Sequence, residues 1–137
     1  MKKDFSVKWK ASKQKRKQVK YRANAPLHIK HKFMGANLSK ELRKKYSRRS
    51  FSLRKGDNAK IMRGKFRGKT GKINEVDLKR LRVSIEGIQK QKKDGTKINV
   101  YFYPSNLQIQ ELDLEDKERI KKLESKKKEA KEGKNVS

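Results

Sequence analysis

The stretch Lys55–Val76, KGDNAKIMRGKFRGKTGKINEV, decides the fold of this chain, because its apolar residues take the spacing of strands around a glycine-rich loop. Ala59 and Ile61 alternate with Asn58, Lys60 and Met62, as in a strand with one buried face. The loop GKFRGKTG (64–71) then leads towards another strand. The sequence therefore predicts a strand–loop–strand unit whose glycines supply positive φ angles at the turn.

The loop has the Gly…Gly-Lys-Thr skeleton of a nucleotide-binding loop, but its spacing is too short. The phosphate-binding loop of nucleotide hydrolases has four residues between its first glycine and the Gly-Lys-Ser/Thr, whereas three residues separate Gly64 from Gly68. Such a loop also joins a strand to the N-terminus of a helix, and the residues after Gly71 predict a strand. These differences argue against a nucleotide-dependent enzyme.

The composition of the loop is typical of a surface that follows phosphates. Five cations lie between Arg63 and Lys72, on a backbone that glycine lets approach a partner closely. Phe66 lies at the predicted tip of the loop, where we expect it to stack on a base or a ribose. The loop is therefore predicted to bind nucleic acid.

Strand-like alternation of apolar and polar residues continues to residue 110. It is found at Leu81–Ile85, Ile98–Phe102 and Leu107–Ile109. Asp94-Gly95 indicates a two-residue hairpin turn between two of these runs, and Gly87 indicates a bulge or bend. Five short strands joined by tight turns predict a mainly β fold that is built on a small, partly closed barrel.

The net charge of the chain indicates its class of partner. The 137 residues include 42 Lys and Arg and 15 Asp and Glu, which gives a formal net charge of +27. Such a charge repels itself unless a polyanion neutralises it, and nucleic acid is the most abundant polyanion in cells. The sequence has no lipidation motif and no apolar run of membrane-spanning length, so we expect a soluble, cytoplasmic protein. It has no cysteine, which excludes disulfides and thiolate zinc sites.

The charge divides the chain into three segments. Residues 1–55 carry 20 basic and 2 acidic side chains, residues 56–110 carry 13 and 5, and residues 111–137 carry 9 and 8. We expect the first segment to be a basic, extended arm that is mobile when free, with a short helix that Ser39 caps and that runs to Tyr46. The second segment is the predicted barrel. The third is predicted to be a helical tail that is exposed rather than part of the core.

Lys55–Val76 as a whole resembles a KOW motif, the strand–loop–strand element of SH3-like barrels in ribosomal proteins and transcription elongation factors. Its flanks resemble the archaeal and eukaryotic branch of large-subunit ribosomal protein twenty-four. The stretches that carry this resemblance are NAPLH (24–28), LSKELRKKY (38–46), RRS (48–50), RKGD (54–57), VDLKRLRV (76–83) and YPSNL (103–107). The resemblance covers about residues 13–110 in order, and the compact loop with its Asp-Leu-Lys-Arg-Leu hairpin is more similar to the archaeal members.

The resemblance implies a non-enzymatic, structural protein of the large ribosomal subunit with a five-stranded SH3-like barrel. It implies binding to the 5′ region of large-subunit rRNA early in assembly, beside neighbouring ribosomal proteins and near the polypeptide exit tunnel. The alternative is a KOW-containing transcription or chromatin protein. An elongation factor of that kind carries an α/β domain before its barrel, and the first 55 residues have too little apolar content to form one. No cofactor, membrane or small-molecule substrate is expected.

The candidate rRNA-binding residues are cationic or imidazole side chains together with Phe66. His28 and His31 are expected to make polar contacts to RNA rather than bind a metal, because neither a cysteine nor a nearby carboxylate completes a ligand set. Trp9 and Tyr21 are further candidates for base stacking, and Trp9 is alternatively an anchor against a neighbouring protein. No catalytic residue is predicted, since paired carboxylates at an apolar strand end are absent from the sequence. The candidate set is Lys15, Arg16, Lys17, Arg22, His28, Lys30, His31, Lys32, Arg43, Lys44, Arg48, Arg49, Arg54, Arg63, Lys65, Phe66, Arg67, Lys69, Lys72, Lys79, Arg80 and Arg82.

Overall fold

The computed structural model describes residues 5–132, with side chains described as far as Ser125. Seven strands form one sheet: β1 (Gly35–Leu38), β2 (Ser50–Ser52), β3 (Asn58–Ile61), β4 (Thr70–Asp77), β5 (Arg82–Gln91), β6 (Lys97–Phe102) and β7 (Leu107–Glu111). The α-helices are α1 (Lys15–Asn24), α2 (Leu27–Phe33), α3 (Lys40–Tyr46) and α4 (Lys117–Glu132). Two 3-10 turns, Val7–Ala11 and Pro104–Asn106, complete the regular structure of these residues.

The strands lie in the order β2-β1-β7-β3-β4-β5-β6. Only β1 and β7 pair in parallel, with Asn37 opposite Gln108 and Leu38 opposite Ile109, and the other neighbours are antiparallel. A strand near the end of the described chain therefore lies between the first two strands and the remaining four. This position makes β7 the junction of the sheet.

The prediction of a mainly β, five-stranded barrel is correct in its strands but not in its closure. β3 to β7 are the five strands expected between residues 56 and 110. Within the described residues no ladder joins the edge strands β2 and β6, so the sheet is open. Helices α1 to α4 also cover as many residues as the strands do. The sequence does not predict β1 and β2, because β1 has glycine and asparagine, which are uncommon in strands, at two of its four positions, and β2 has only three residues.

The core lies against the sheet and follows the alternation seen in the sequence. Ala59 and Ile61 of β3 are fully buried, and so are Leu107 and Ile109 of β7, the strand beside it. Residues two apart point to the same face of a strand, so these four side chains share one layer. Met34, Leu38 and Leu53 extend that layer beneath β1 and β2.

The arm is helical, which corrects the prediction of an extended segment. Lys, Arg and Gln, which dominate α1, are good helix formers. Gln18 also donates through Nε2 to the carbonyl oxygens of Trp9, Lys10 and Ser12, at 3.1, 3.2 and 2.7 Å. One amide thus ties the first 3-10 turn to α1, a long-range tie that composition does not reveal.

Tyr21 is a packing residue rather than the base-stacking residue suggested by its basic surroundings. Its side chain is buried, and its ring centroid lies 5.0 Å from that of Phe5 and 5.8 Å from that of Phe33. Aromatic pairs at such distances add to the free energy gained by burial. This small cluster anchors the helical arm next to α2.

Helix α4 packs against α3 and contacts β2 and the turn before β3 through Arg119, which corrects the prediction of an exposed tail. Arg119 and Leu123 are both buried, and their spacing of four residues places them on one face of the helix. The helix begins beside Asp116, whose Oδ1 accepts a hydrogen bond from the backbone N–H of Glu118 at 2.8 Å. The sequence does not predict this packing, because α4 has few apolar residues and contacts the sheet mainly through the charged side chain of Arg119.

The partner of Arg119 is Asp57, in the turn before β3. Both guanidinium Nη atoms lie 2.6 Å from the two carboxylate oxygens, and Asp57 has no exposed surface. The same carboxylate accepts hydrogen bonds from the backbone N–H groups of Arg54 and Asp113 at 2.8 and 3.0 Å. Asp57 therefore joins the strand that follows it to the segment that leads into α4.

In the long β5–β6 hairpin, the bulge predicted at Gly87 is present, but the predicted two-residue turn is not. Gly87 has a φ of +75°, and the pairing register of β5 with β6 shifts between Ser84 and Gln89, which confirms the predicted bulge. The turn at Asp94-Gly95 is longer than the predicted two residues. Lys92 N–H donates to the carbonyl oxygen of Thr96 at 2.9 Å, so three residues lie inside the turn.

Candidate nucleic-acid interface

The β3–β4 loop is a closed hairpin turn. Ile61 N–H donates to the carbonyl oxygen of Lys69 at 2.9 Å, and Gly68 N–H donates to the carbonyl oxygen of Ile61 at 2.8 Å. Gly64 and Gly68 have φ angles of +90° and +89°, as the sequence predicts for a glycine turn. The loop joins two antiparallel strands rather than a strand and a helix. This geometry is not that of a nucleotide-binding loop.

Four of the five predicted loop cations extend from this rigid turn into solvent. Arg63, Lys65, Arg67 and Lys69 are exposed, and Lys72 is exposed on β4. Because the backbone hydrogen bonds hold the turn, little conformational entropy is lost from the backbone when phosphates bind there. The loop is therefore a preformed cationic surface.

Phe66 packs inward more than a side chain at a loop tip usually does. The side chain is half-buried, packs against the core and meets the ring of Phe102 edge to face, with 6.1 Å between centroids. The Lys69 ammonium lies 5.6 Å from the centroid of the Phe66 ring. Phe66 thus connects the loop to the core, and its stacking on a base stays a prediction.

A second group of predicted cations lies at the far end of β4. Lys79 and Arg80 are exposed in the β4–β5 turn. Since β4 has eight residues and a strand rises about 3.3 Å per residue, this turn lies at most about 25 Å from the glycine loop. The structure thus places the two sets of cations at opposite ends of β4.

Arg82 is held by its neighbours. Its guanidinium carbon lies 4.3 Å from the centroid of the Tyr101 ring, and Nε lies 3.5 Å from Oδ2 of Asp77. Asp77 also accepts a hydrogen bond from Arg80 N–H, and this bond, with the Arg82 contact, lowers the pKa of the Asp77 carboxyl. The hydroxyl of Tyr101 donates to Glu75 at 2.9 Å, which raises the pKa of that tyrosine.

The predicted cations of α1 and α2 are divided between solvent and the protein interior. Most of the set is exposed: Lys15, Arg16, Arg22, His28, His31 and Lys32. Lys17 is half-buried, with its ammonium 5.8 Å from the Trp9 ring centroid. Lys30 is only 8% exposed, and its contact with RNA stays a prediction. The exposed members form the cationic outer side of the helical arm.

Several predicted arginines hold the fold together. Arg43 donates through Nε to the carbonyl oxygen of Leu38 at 2.9 Å. Arg48 donates through Nη2 to the Lys122 carbonyl oxygen and, at 3.1 Å, to Ser125 Oγ on α4. Arg54 forms an ion pair with Asp116, whose pKa falls through this contact and through the Glu118 N–H bond. Lys44 and Arg49 remain exposed beside them.

A groove of about 980 Å³ lies between α2, β4 and α4. Its apolar side is formed by Phe51, Leu53, Val76 and Leu78. Cationic and imidazole groups surround that side: His28, His31, Lys32, Arg54, Lys55, Arg119 and Lys122. The groove thus collects four of the predicted residues from two separate sequence stretches.

Lys55, Arg119 and Lys122 are groove residues that the sequence does not identify. The only feature of the sequence that indicates a binding role for Lys55 is its position next to Arg54, which is a predicted residue. Lys122 and Arg119 belong to the nearly neutral third segment, where balanced charge argues against a role in binding. The docking of α4 brings both to the groove.

The described residues offer neither a metal site nor a membrane-spanning helix. Within 5–125, no group of three or more His, Asp or Glu side chains is arranged to hold a metal ion. None of the described helices is both long enough and apolar enough to cross a membrane.

Comparison with known proteins gives a consistent result. Residues 12–126 match a family model that is described as the ribosomal proteins L26 of eukaryotes and L24 of archaea. A protein of Methanothrix thermoacetophila named large ribosomal subunit protein uL24 is 49% identical over 110 residues, which are 80% of this chain and 95% of that protein. Proteins of the same name from Methanosphaera stadtmanae and Methanosarcina barkeri are 47% and 46% identical, over 84% and 82% of this chain and 98% and 97% of their own.

Proposed function

Because the chain belongs to the family of ribosomal proteins described as L26 in eukaryotes and L24 in archaea, we propose that it is a structural component of the large ribosomal subunit in the cytoplasm. The single observation that carries this proposal is the match over residues 12–126, which includes the sheet and the described start of α4. The protein binds large-subunit rRNA and has no catalytic role.

The distribution of charge supports RNA as the main partner. The net charge is +27, and the cations of the glycine loop stand on a turn whose backbone is already ordered. A preformed cationic surface binds phosphates mainly by releasing counterions, with little reading of base sequence. RNA recognition of this kind depends on shape and on the placement of phosphates.

Three surfaces divide the contact with RNA. The first is the glycine loop, with Arg63, Lys65, Arg67, Lys69 and Lys72. The second is the β4–β5 turn, with Lys79 and Arg80. The third is the helical arm with its neighbours: Lys15, Arg16, Arg22, His28, His31, Lys32, Lys44 and Arg49. The first two surfaces lie at opposite ends of β4, at most about 25 Å apart, which suits a protein that holds separate RNA segments together.

The remaining predicted residues make contacts within the protein. Lys30 is largely buried and Phe66 is half-buried. Arg43, Arg48 and Arg82 are held by carbonyl oxygens, a carboxylate or an aromatic ring, and Arg54, which is half-exposed, pairs with Asp116. Lys17 is intermediate, because its ammonium lies near Trp9. These residues keep the RNA-facing cations in fixed positions.

The proposal also specifies where on the large subunit the protein binds and at which stage of assembly. The KOW-like stretch Lys55–Val76 forms the strand–loop–strand unit β3–β4, which suits the SH3-like element of this family. We propose binding to the 5′ region of the rRNA early in assembly, near the polypeptide exit tunnel. Exposed apolar side chains such as Val7, Leu27 and Tyr103 are candidates for contact with neighbouring ribosomal proteins.

Fractionation of a cell lysate on a sucrose gradient tests the proposal. The protein is expected to sediment with the large subunit and to remain there after a wash in high salt, because buried contacts are screened less than surface contacts. Recovery at the top of the gradient, or with DNA or RNA polymerase, would contradict the ribosomal assignment.

A further inference from the structure

We propose that the groove between α2, β4 and α4 holds one unpaired nucleotide of the bound RNA. The base lies against the apolar side, and the flanking phosphates lie on the cationic rim. This inference rests on the proposed function, since it specifies one part of the contact with RNA. It concerns a site that the distribution of charge alone does not identify.

The apolar side of the groove suits a flat, weakly polar group. Phe51, Val76 and Leu78 contribute to it, and Asn74 provides an amide at its edge. A volume of about 980 Å³ lies at the upper end of the range of roughly 300–1,000 Å³ that small-ligand sites occupy. A base with its ribose therefore has room to enter without opening the fold.

The rim has the charge that complements a phosphodiester. His28, His31, Lys32 and Lys55 come from one side of the groove, and Lys122 comes from α4 on the other. The one acidic residue of the lining, Glu75, is occupied by the hydrogen bond from the Tyr101 hydroxyl. A nucleotide uses both the apolar side and the cationic rim. An acidic peptide uses only the rim, so we favour the nucleotide.

Arg119 provides an independent observation. Its side chain is 2% exposed and lines the groove, and its two Nη atoms are held by Asp57 and by the carbonyl oxygens of Ser52 and Asp113. Its Nε has no hydrogen-bond partner within the described residues. A buried donor without an acceptor is unfavourable, and native proteins normally satisfy such groups. A carbonyl oxygen or ring nitrogen of a base is an acceptor of the kind that this N–H lacks, and it reaches the buried Nε after a small shift of the side chains that line the groove.

The location of the groove agrees with this assignment. Asn74 and Val76 lie in the second half of β4, and Leu78 lies in the turn that leads into the exposed Lys79 and Arg80. Phosphates on either side of an unpaired nucleotide are thus within reach of the β4–β5 turn and of α2. Unpaired nucleotides are the part of an RNA that proteins recognise through their bases, because paired bases of an A-form helix are inaccessible.

The test uses the full chain and two synthetic RNA hairpins that differ in one nucleotide. One hairpin carries a single unpaired 4-thiouridine, and the other is fully paired. At about 0.15 M salt the hairpin with the unpaired nucleotide should bind about tenfold more tightly, which corresponds to base stacking at the low end of its usual range. Photo-cross-linking followed by mass spectrometry should place the thiouridine on peptides that contain Phe51–Lys55, Asn74–Leu78 or Lys122.

A pair of matched variants separates the groove from general charge. Asn74→Glu adds a negative charge in the groove, and Asn99→Glu adds the same charge on β6, where the side chain is also exposed. Asn74→Glu should remove the preference for the unpaired nucleotide, and Asn99→Glu should keep it. Both variants should bind the paired hairpin equally.

Each other outcome overturns the inference in a distinguishable way. Equal affinity for the two hairpins, with cross-links only to the glycine loop, would reject the groove and leave RNA binding intact. A third outcome is that a polyglutamate peptide competes with the RNA in the unchanged protein and in Asn99→Glu but not in Asn74→Glu. If, in addition, no thiouridine cross-links in the groove, the groove would be assigned to a protein partner. Binding of neither hairpin would reject the groove and the proposed RNA-binding function together.

Discussion

Arg119 and Asp57 form a buried ion pair between residues that are 62 positions apart in the chain. The two-fold contact of guanidinium and carboxylate fixes the orientation of α4 as well as its position. Two backbone N–H groups complete the hydrogen bonds of the carboxylate. The pair therefore connects α4 to the sheet and places Arg119 and Lys122 beside the groove.

Breaking this ion pair from one side should destabilise the protein strongly. Arg119→Met leaves the Asp57 carboxylate buried without its cation, so we expect the free energy of unfolding to fall by about 3–5 kcal/mol in urea titrations. Lys121→Met, at an exposed position of the same helix, is the control and should change it by less than about 0.5 kcal/mol. Similar unfolding curves for the two variants would contradict the structural role of the pair.

Gly71 should be intolerant of a side chain for a steric reason. A Cβ atom at this position would lie 2.8 Å from Cγ2 of Ile85 and 3.0 Å from the carbonyl oxygen of Glu86. We expect Gly71→Ala to cost about 1–3 kcal/mol in chemical denaturation, as overpacking does elsewhere. Gly35→Ala is the matched control, because its Cβ would meet only the Lys32 carbonyl oxygen, at an ordinary 3.7 Å. Equal costs for the two substitutions would show that the close approach of β4 and β5 is not tight.

The glycine loop should set part of the salt dependence of RNA binding. Replacing Arg63, Lys65, Arg67 and Lys69 by Ala should reduce the slope of log K against log salt by about 3–4, if each cation neutralises one phosphate. The control removes four cations of the β5–β6 hairpin, Lys90, Lys92, Lys93 and Lys97, which are equally exposed. Filter binding to a large-subunit rRNA fragment measures both slopes. The same decrease in both variants would mean that net charge matters and the loop does not.

The carboxyl of Asp116 should titrate below its ordinary pKa of 3.8. The hydrogen bond from Arg54 is the largest cause, and the Glu118 N–H bond adds to it. Because the pKa is lower in the folded state, this group stabilises the fold above its unfolded pKa, and the contribution is lost as the pH falls through the folded value. A carboxyl NMR titration measures the pKa, and Arg54→Ala should raise it. An unchanged value in Arg54→Ala would show that the ion pair does not form in solution.

The sequence predicts those elements whose apolar and polar residues alternate within a short stretch. It does not predict the elements that depend on contacts with residues distant in the chain. The alternation at Ala59 and Ile61 predicts β3, and Ser39 predicts the cap of α3, where its Oγ accepts the Leu42 N–H at 3.3 Å. Strand β1 has glycine and asparagine at two of its four positions, and it forms where β2 and β7 pair with it. Such strands depend on pairing with residues that are distant in the sequence, and a local pattern of apolar residues does not show that pairing.

The residues of the candidate interface likewise fall into two groups, those whose exposure follows from the local sequence and those whose environment depends on distant residues. A cation in a glycine turn, such as Arg67, is exposed whatever the rest of the fold does, so composition predicts its exposure, and its contact with RNA stays a prediction. The environments of Lys30, Phe66 and Arg48 depend on residues that pack against them from elsewhere in the chain. Arg119 is the extreme case, because an arginine in a charged helix indicates a surface position until its distant carboxylate is known.

The position of β7 has a consequence for synthesis of the chain. Ribosomes make proteins from the N-terminus, so β1 and β2 emerge long before Leu107–Glu111, the strand that joins them to β3. Until that strand emerges, β1 and β2 have no ladder to the rest of the sheet, and the Asp57 carboxylate still lacks Arg119, which emerges later. The sheet is therefore completed late, and a chain that is interrupted before residue 107 keeps its basic N-terminal part without the complete sheet that positions it.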